Sequence, residues 1–158
     1  MRTTSTAAAA RFTAAYALLT ASHEAGDYWV QRDADAVAKG HQGHEGRAAC
    51  VRHVASYTAT QGLALTAASR YLGLRLSWRR VAAALAVSAV THYAADRCAG
   101  HWRETGDDAP VLVRFAHHIG KRQWLTKDPG AGPLLDQAWH KAWIAAAALV
   151  AAGPADTC

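Results

Sequence analysis

Apolar residues recur with helical period along four stretches of the chain, Ala7–Gln31, Arg47–Tyr71, Ser77–Cys98 and Pro133–Ala152, and no alternating pattern competes with them. The pattern predicts an all-α fold, a four-helix bundle in one domain over residues 1–158. Gly73 followed by Ser77, a good N-cap residue, makes the second and third helices antiparallel neighbours joined by a short turn. Gly40, Gly43 and Gly46 interrupt the chain between the first two helices. The connection between the third and fourth, residues 99–132, is long enough to act as a lid. Inside it one short helix is expected, capped by Asp107 or Asp108, with Pro110 in its first turn and Gly120 near its end.

Composition agrees with helix. Hydrophobic residues make up 51% of the 158 positions but aromatics only 8%, and much of the remainder is alanine, the best helix former. A formal charge of +5 favours anionic partners without naming one. The cysteines, Cys50, Cys98 and Cys158, are odd in number and scattered, which indicates neither a disulfide framework nor a zinc ribbon and fits a reducing cytoplasm. Arg11 interrupts the apolar start of the chain, so no export signal is read. The most apolar stretches, Val54–Ser69, Val81–Ala95 and Trp143–Ala155, fall short of the roughly 20 residues that a spanning helix needs. Peripheral membrane association stays open, and oligomeric state is not legible.

The chemistry lies in histidine and aspartate. His23 with Asp27, His92 with Asp96, and Asp136 with His140 are each four residues apart, which puts both members on one helix face about 6 Å apart along the axis. With nine histidines and nine aspartates in the chain, about one such pair is expected by chance. Winding each helix at about 100° per residue places these groups with apolar neighbours: His92 and Asp96 with Val81 and Leu85, His23 among Phe12, Tyr16 and Leu19, His140 with Ile144 and Ala147. Ionised groups facing a core must find partners, and a metal ion serves imidazoles and carboxylates at once. His23, Asp27, His53, His92, Asp96, Asp136 and His140 are therefore the candidate ligands, enough for two ions, and Tyr28, Gln31, Tyr57 and Tyr93 are candidates to hydrogen-bond and orient them. Nitrogen with carboxylate suits zinc first, then iron or manganese. His41, His44, His101, His117 and His118 fall in loops and are expected at the surface.

Two functions follow from that core. One is a metal-dependent hydrolase acting on a phosphoester or related small anionic substrate, with Arg114, Lys121, Arg122 and Lys127 of the long connection holding the anion. The alternative is a non-catalytic regulatory or membrane-associated helical protein in which His, Asp and Tyr form a polar core without an ion. No nucleophile elbow, phosphate-cradling glycine loop or Cys-His pair is present. No helix-turn-helix pattern appears, and the charge is modest, so nucleic acid is not the expected partner.

The run His23-Glu24-Ala25-Gly26-Asp27-Tyr28-Trp29-Val30-Gln31, with Lys39, His53 and His92-Tyr93-Ala94-Ala95-Asp96, resembles the bacterial and phage family called domain of unknown function 3307. The resemblance covers the first three helices and implies membrane association, although this chain is more polar than many members. Thr91–Asp96 also looks like the His-x-x-x-Asp helix of zinc-dependent phospholipase C and single-strand nucleases. Those enzymes continue toward a Pro-x-His ligand, where this chain reads Arg97-Cys98-Ala99-Gly100-His101-Trp102, and they use an amino-terminal tryptophan where this chain has Met1.

Overall fold

The computed structural model describes residues 2–154, with side chains from residue 6 onward; Ala155 and Cys158 lie outside the described residues. The fold is all-α, and no strand occurs among the described residues. Its elements are α1 (Arg2–Ala25), a π turn (Gly26–Val30), α2 (Asp33–Ala38), α3 (Gly43–Leu72), α4 (Trp78–Asp96), α5 (Val111–Ala116), a second π turn (His117–Lys121), α6 (Arg122–Lys127) and α7 (Ala131–Ala152). The four long helices of the sequence pattern are α1, α3, α4 and α7. Among the described residues no helix is long and apolar enough to cross a membrane.

The differences from the pattern have local causes. The first helix runs on to Val30, one residue short of the expected Gln31, and its last turn is widened to a π turn, closed by the Gln31 N–H on the Gly26 carbonyl at 3.0 Å. The short α2 has no apolar stripe to announce it. It is held by Asp33 and Asp35 in its first turn, where carboxylates complement the helix dipole, and by the buried Asp35, which accepts from Arg32 and Arg52 at 2.9 and 2.6 Å. In the long connection Pro110 occupies the cap position itself, with extended backbone, and no side chain caps the helix, so neither Asp107 nor Asp108 has the expected role. Gly120, at φ +88°, does not end the segment. Its left-handed backbone kinks the chain, which restarts as α6, so the connection holds two short helices where one was expected.

The chain divides into two compact units. The first comprises residues up to Gln31, Ala55–Val90 and the chain from Lys141 onward. Its core is Ala15, Leu19, Leu65, Ala84, Ile144, Ala147, Ala148 and Ala151, closed at the edges by Phe12, Leu18, Val81 and Leu85. Alanine at five of these eight core positions lets helix backbones approach closely, so few bulky side chains suffice to fill the interior. The second unit comprises Arg32–Val54 and Thr91–His140. It packs Trp102, Val113, Leu125, Cys98, Ala109, Ala116 and Ala131 together, with Leu112 and Leu135 beside them.

Candidate metal centre

Within the second unit, α3 supplies His53, α4 supplies His92 and Asp96, and α7 supplies Asp136 and His140. His53, His92, Asp96 and His140 are all buried. The four-residue spacing on α4 aims His92 and Asp96 in the same direction, and His53 meets them there. His53 Nε2 lies 2.9 Å from His92 Nε2, while Asp96 Oδ2 lies 3.1 Å from the first and 3.2 Å from the second. Three ligand atoms thus form a nearly equilateral triangle. A tetrahedral zinc site with bonds of about 2.0–2.1 Å has ligand-to-ligand edges of about 3.3 Å, close to these three.

Protons alone fit this triangle poorly. If one imidazole donates to the other, the accepting ring turns a lone pair toward the nearby carboxylate oxygen. If both donate to the carboxylate, two N–H groups face each other at 2.9 Å. No arrangement with two neutral imidazoles satisfies all three edges, whereas one cation at the centre receives three lone pairs at once.

Asp96 is ionised. Burial pushes its carboxyl pKa up, but the His53 and His92 imidazoles beside it and the Lys39 ammonium hold it well below the usual carboxylate range. Lys39 Nζ contacts the other oxygen, Oδ1, at 2.8 Å, and both side chains are largely buried. The backbone around Lys39 is fastened to the end of α4. Arg97 donates to the carbonyls of Lys39 and His41, and a Cβ on Gly40 would sit 2.0 Å from the Ala99 carbonyl oxygen, a space only glycine fits. His101, expected at the surface, is instead part of this fastening. Its Nε2 lies 2.8 Å from the Gly40 carbonyl and its Nδ1 2.7 Å from the Glu104 carboxylate. Both partners only accept, so both ring nitrogens donate and the imidazolium is favoured; the Glu104 hydrogen bond is the chief cause of its raised pKa.

His140 lies against His92, ring centroids 4.3 Å apart, with Asp136 Oδ2 3.3 Å from its Nε2. Trp139, one residue earlier, donates to the Thr91 carbonyl at 2.9 Å and ties α7 to α4. A cavity of about 360 Å³ adjoins the cluster, lined by Lys39, Asp96, Trp102, Arg103, Asp128 and Asp136 among others. Cys50 and Cys98 are free and buried. Burial pushes both thiols up to about 12, which keeps them protonated.

The first unit holds the remaining candidates. His23 is buried with Nδ1 3.6 Å from Asp27 Oδ2, and its ring meets Tyr57 edge-on at 5.7 Å between centroids. Tyr57 belongs to a closed polar ring that the sequence pattern did not assign. Gln61 Nε2 donates to the Tyr57 hydroxyl (2.8 Å) and Ser88 donates to Gln61 Oε1 (2.8 Å), which leaves the Tyr57 hydroxyl to donate to Ser88 (2.9 Å). Gln61 one turn after Tyr57 on an inward face was the available signal. Tyr28, expected to orient a ligand, is instead exposed in the π turn, whose wider winding shifts its register. Gln31 and Tyr93 are half-buried; the Gln31 N–H closes the π turn on Gly26, and the Tyr93 carbonyl accepts from the Cys50 thiol.

The basic residues expected to hold the substrate do not line the cavity beside Asp96. Arg114 and Arg122 line a separate one of about 290 Å³ with His117, His118, Glu104 and Asp107, and Lys121 and Lys127 are exposed. The cations on the Asp96 cavity are Lys39 and Arg103. Neither was assigned to the site from sequence.

No family model matches this chain, and no curated protein or solved structure matches it either.

Proposed function

We propose that the second unit binds a divalent ion, zinc in preference to iron or manganese, through His53, His92 and Asp96, and uses it to hydrolyse a small anionic ester held in the adjoining cavity. The observation that carries this reading is the buried triangle of two imidazole nitrogens and one carboxylate oxygen, with every edge between 2.9 and 3.2 Å. Two histidines and one carboxylate are a known catalytic ligand set for zinc and for non-haem iron, and leave further coordination positions open. An ion so held lowers the pKa of bound water toward about 7 and polarises an ester oxygen. Lys39 and Arg103 on the cavity wall suit an anion, and the Asp136–His140 pair beside the triangle suits proton transfer.

The test is elemental analysis of tag-free protein, with hydrolysis of a chromogenic phosphomonoester followed in parallel. About one equivalent of zinc, iron or manganese is expected, lost in His92→Ala and in Asp96→Ala, with activity falling together with metal. Metal-free protein that takes up none of these ions on titration overturns the site. Bound metal without turnover of any phosphomonoester or phosphodiester overturns the hydrolase and leaves the site.

A further inference from the structure

The turn between α3 and α4 carries a surface that the metal centre does not explain. Over residues 70–80 the chain reads Arg-Tyr-Leu-Gly-Leu-Arg-Leu-Ser-Trp-Arg-Arg. Tyr71, Leu72 and Trp78 are 88%, 55% and 74% exposed, so the largest apolar groups of the turn face water. They are interleaved with Arg70, Arg75 and Arg79, all exposed, and with the half-exposed Arg80. The Arg79 guanidinium sits over the Trp78 ring at 5.5 Å, which keeps a cation and an aromatic face together. Arg75 has φ +52°, the one positive-φ residue other than glycine in the described chain. That backbone is strained for a side chain of its size, and Arg75 is exposed there.

Charge settles the class of partner. From Gly46 to Ala95 the sequence contains no aspartate or glutamate at all. The same end of the first unit has a cavity of about 480 Å³ lined by Arg11, Arg75, Arg80 and Ser77 with no acidic residue. Arginine beside exposed tryptophan, tyrosine and leucine is the composition that settles at a lipid headgroup layer, rings at the acyl boundary and guanidinia on phosphates. The apolar members argue against a purely phosphate-tracking nucleic-acid surface, because two of the large exposed groups, Leu72 and Tyr71, follow directly on Arg70 with no polar spacing.

We infer that this turn is a docking surface for an anionic lipid bilayer, on which the protein lies without crossing. Each basic residue close to an anionic leaflet strengthens binding roughly fivefold, so the three exposed arginines, Arg70, Arg75 and Arg79, together give a strong preference for charged lipid.

The experiment is co-sedimentation of the full chain with vesicles of phosphatidylcholine, with and without a quarter of phosphatidylglycerol, at about 0.1 M and about 0.5 M salt. Pelleting with the anionic vesicles at low salt is expected, lost at high salt and absent with neutral vesicles. Arg75→Gln with Arg79→Gln, and separately Tyr71→Ser with Trp78→Ser, are each expected to weaken it by roughly tenfold or more. All four side chains are exposed, so these variants are expected to melt with wild type, which circular dichroism checks. Failure to pellet with anionic vesicles overturns the inference, as does binding undiminished by either double variant. Retention of a short single-stranded RNA that the same variants abolish, without vesicle binding, reassigns the surface to nucleic acid and likewise overturns it. None of these outcomes depends on metal.

Discussion

Replacing Asp96 by asparagine keeps the shape of the side chain and removes its charge. The carboxylate contacts Lys39 at 2.8 Å, His53 at 3.1 Å and His92 at 3.2 Å in a largely dry setting. At an effective dielectric of about 20, the Lys39 pair alone is a gross attraction of roughly 6 kcal/mol, most of it offset by desolvation. Breaking a buried pair by deleting one partner costs about 3–5 kcal/mol. Lys39 borders the cavity and is able to regain some hydration, so the low end applies, about 3 kcal/mol. For a chain of this length, 1 kcal/mol moves Tm by roughly 2–4 °C, and Asp96→Asn is expected to lower it by roughly 6–12 °C. The assay is thermal or urea unfolding in a chelator, so that loss of metal does not contribute. Adding Lys39→Met to Asp96→Asn is expected to recover part of the loss, since it removes the stranded ammonium. An Asp96→Asn protein within about 1 kcal/mol of wild type, with the Lys39→Met change simply additive, refutes a buried, coupled carboxylate.

Three further outcomes can be checked by the same methods. Without chelator, zinc at about 1,000 times its Kd is expected to stabilise the protein by about 4 kcal/mol, and His53→Ala abolishes that increment while a surface change such as His44→Ala leaves it. The His101–Glu104 contact raises the imidazole pKa, so its stabilisation is complete below the unfolded value of about 6.5 and fades as pH rises through the folded value. With Glu104 substantially exposed, Glu104→Gln is expected to cost about 0.5 kcal/mol at pH 6 and nothing measurable by pH 9. In the alanine-rich core of the first unit, Leu65→Ala removes one of the few large side chains and is expected to cost about 2–5 kcal/mol in urea unfolding.

Periodicity made the long helices legible because each buries a stripe, and it made His92, Asp96 and His140 legible because they lie on those stripes. His53 was readable for the same reason, though with Tyr57 as its only neighbour of note on the sequence. Lys39 was not readable as a partner of Asp96. It follows a helix of six residues that has no periodic signal, and its position depends on Gly40 meeting Ala99 across 59 positions of sequence. The arginines of the long connection were assigned to a substrate by charge alone, which carries no direction, and Arg114 and Arg122 line a separate cavity. Asp107 and Asp108 failed as caps because Pro110 had already fixed the backbone at the helix start.

The Lys39 ammonium on the outer oxygen of Asp96 bears on how electropositive an occupied centre becomes. Lysine and aspartate cancel, and two neutral imidazoles add nothing, so the double positive charge of an ion there stays unbalanced by its immediate surroundings. On the proposed reading, such a centre would be a strong Lewis acid with an appetite for hydroxide or for a second anion. Removing the lysine would tame it: the same three donors would then carry one compensating negative charge, and water on the ion would be harder to deprotonate.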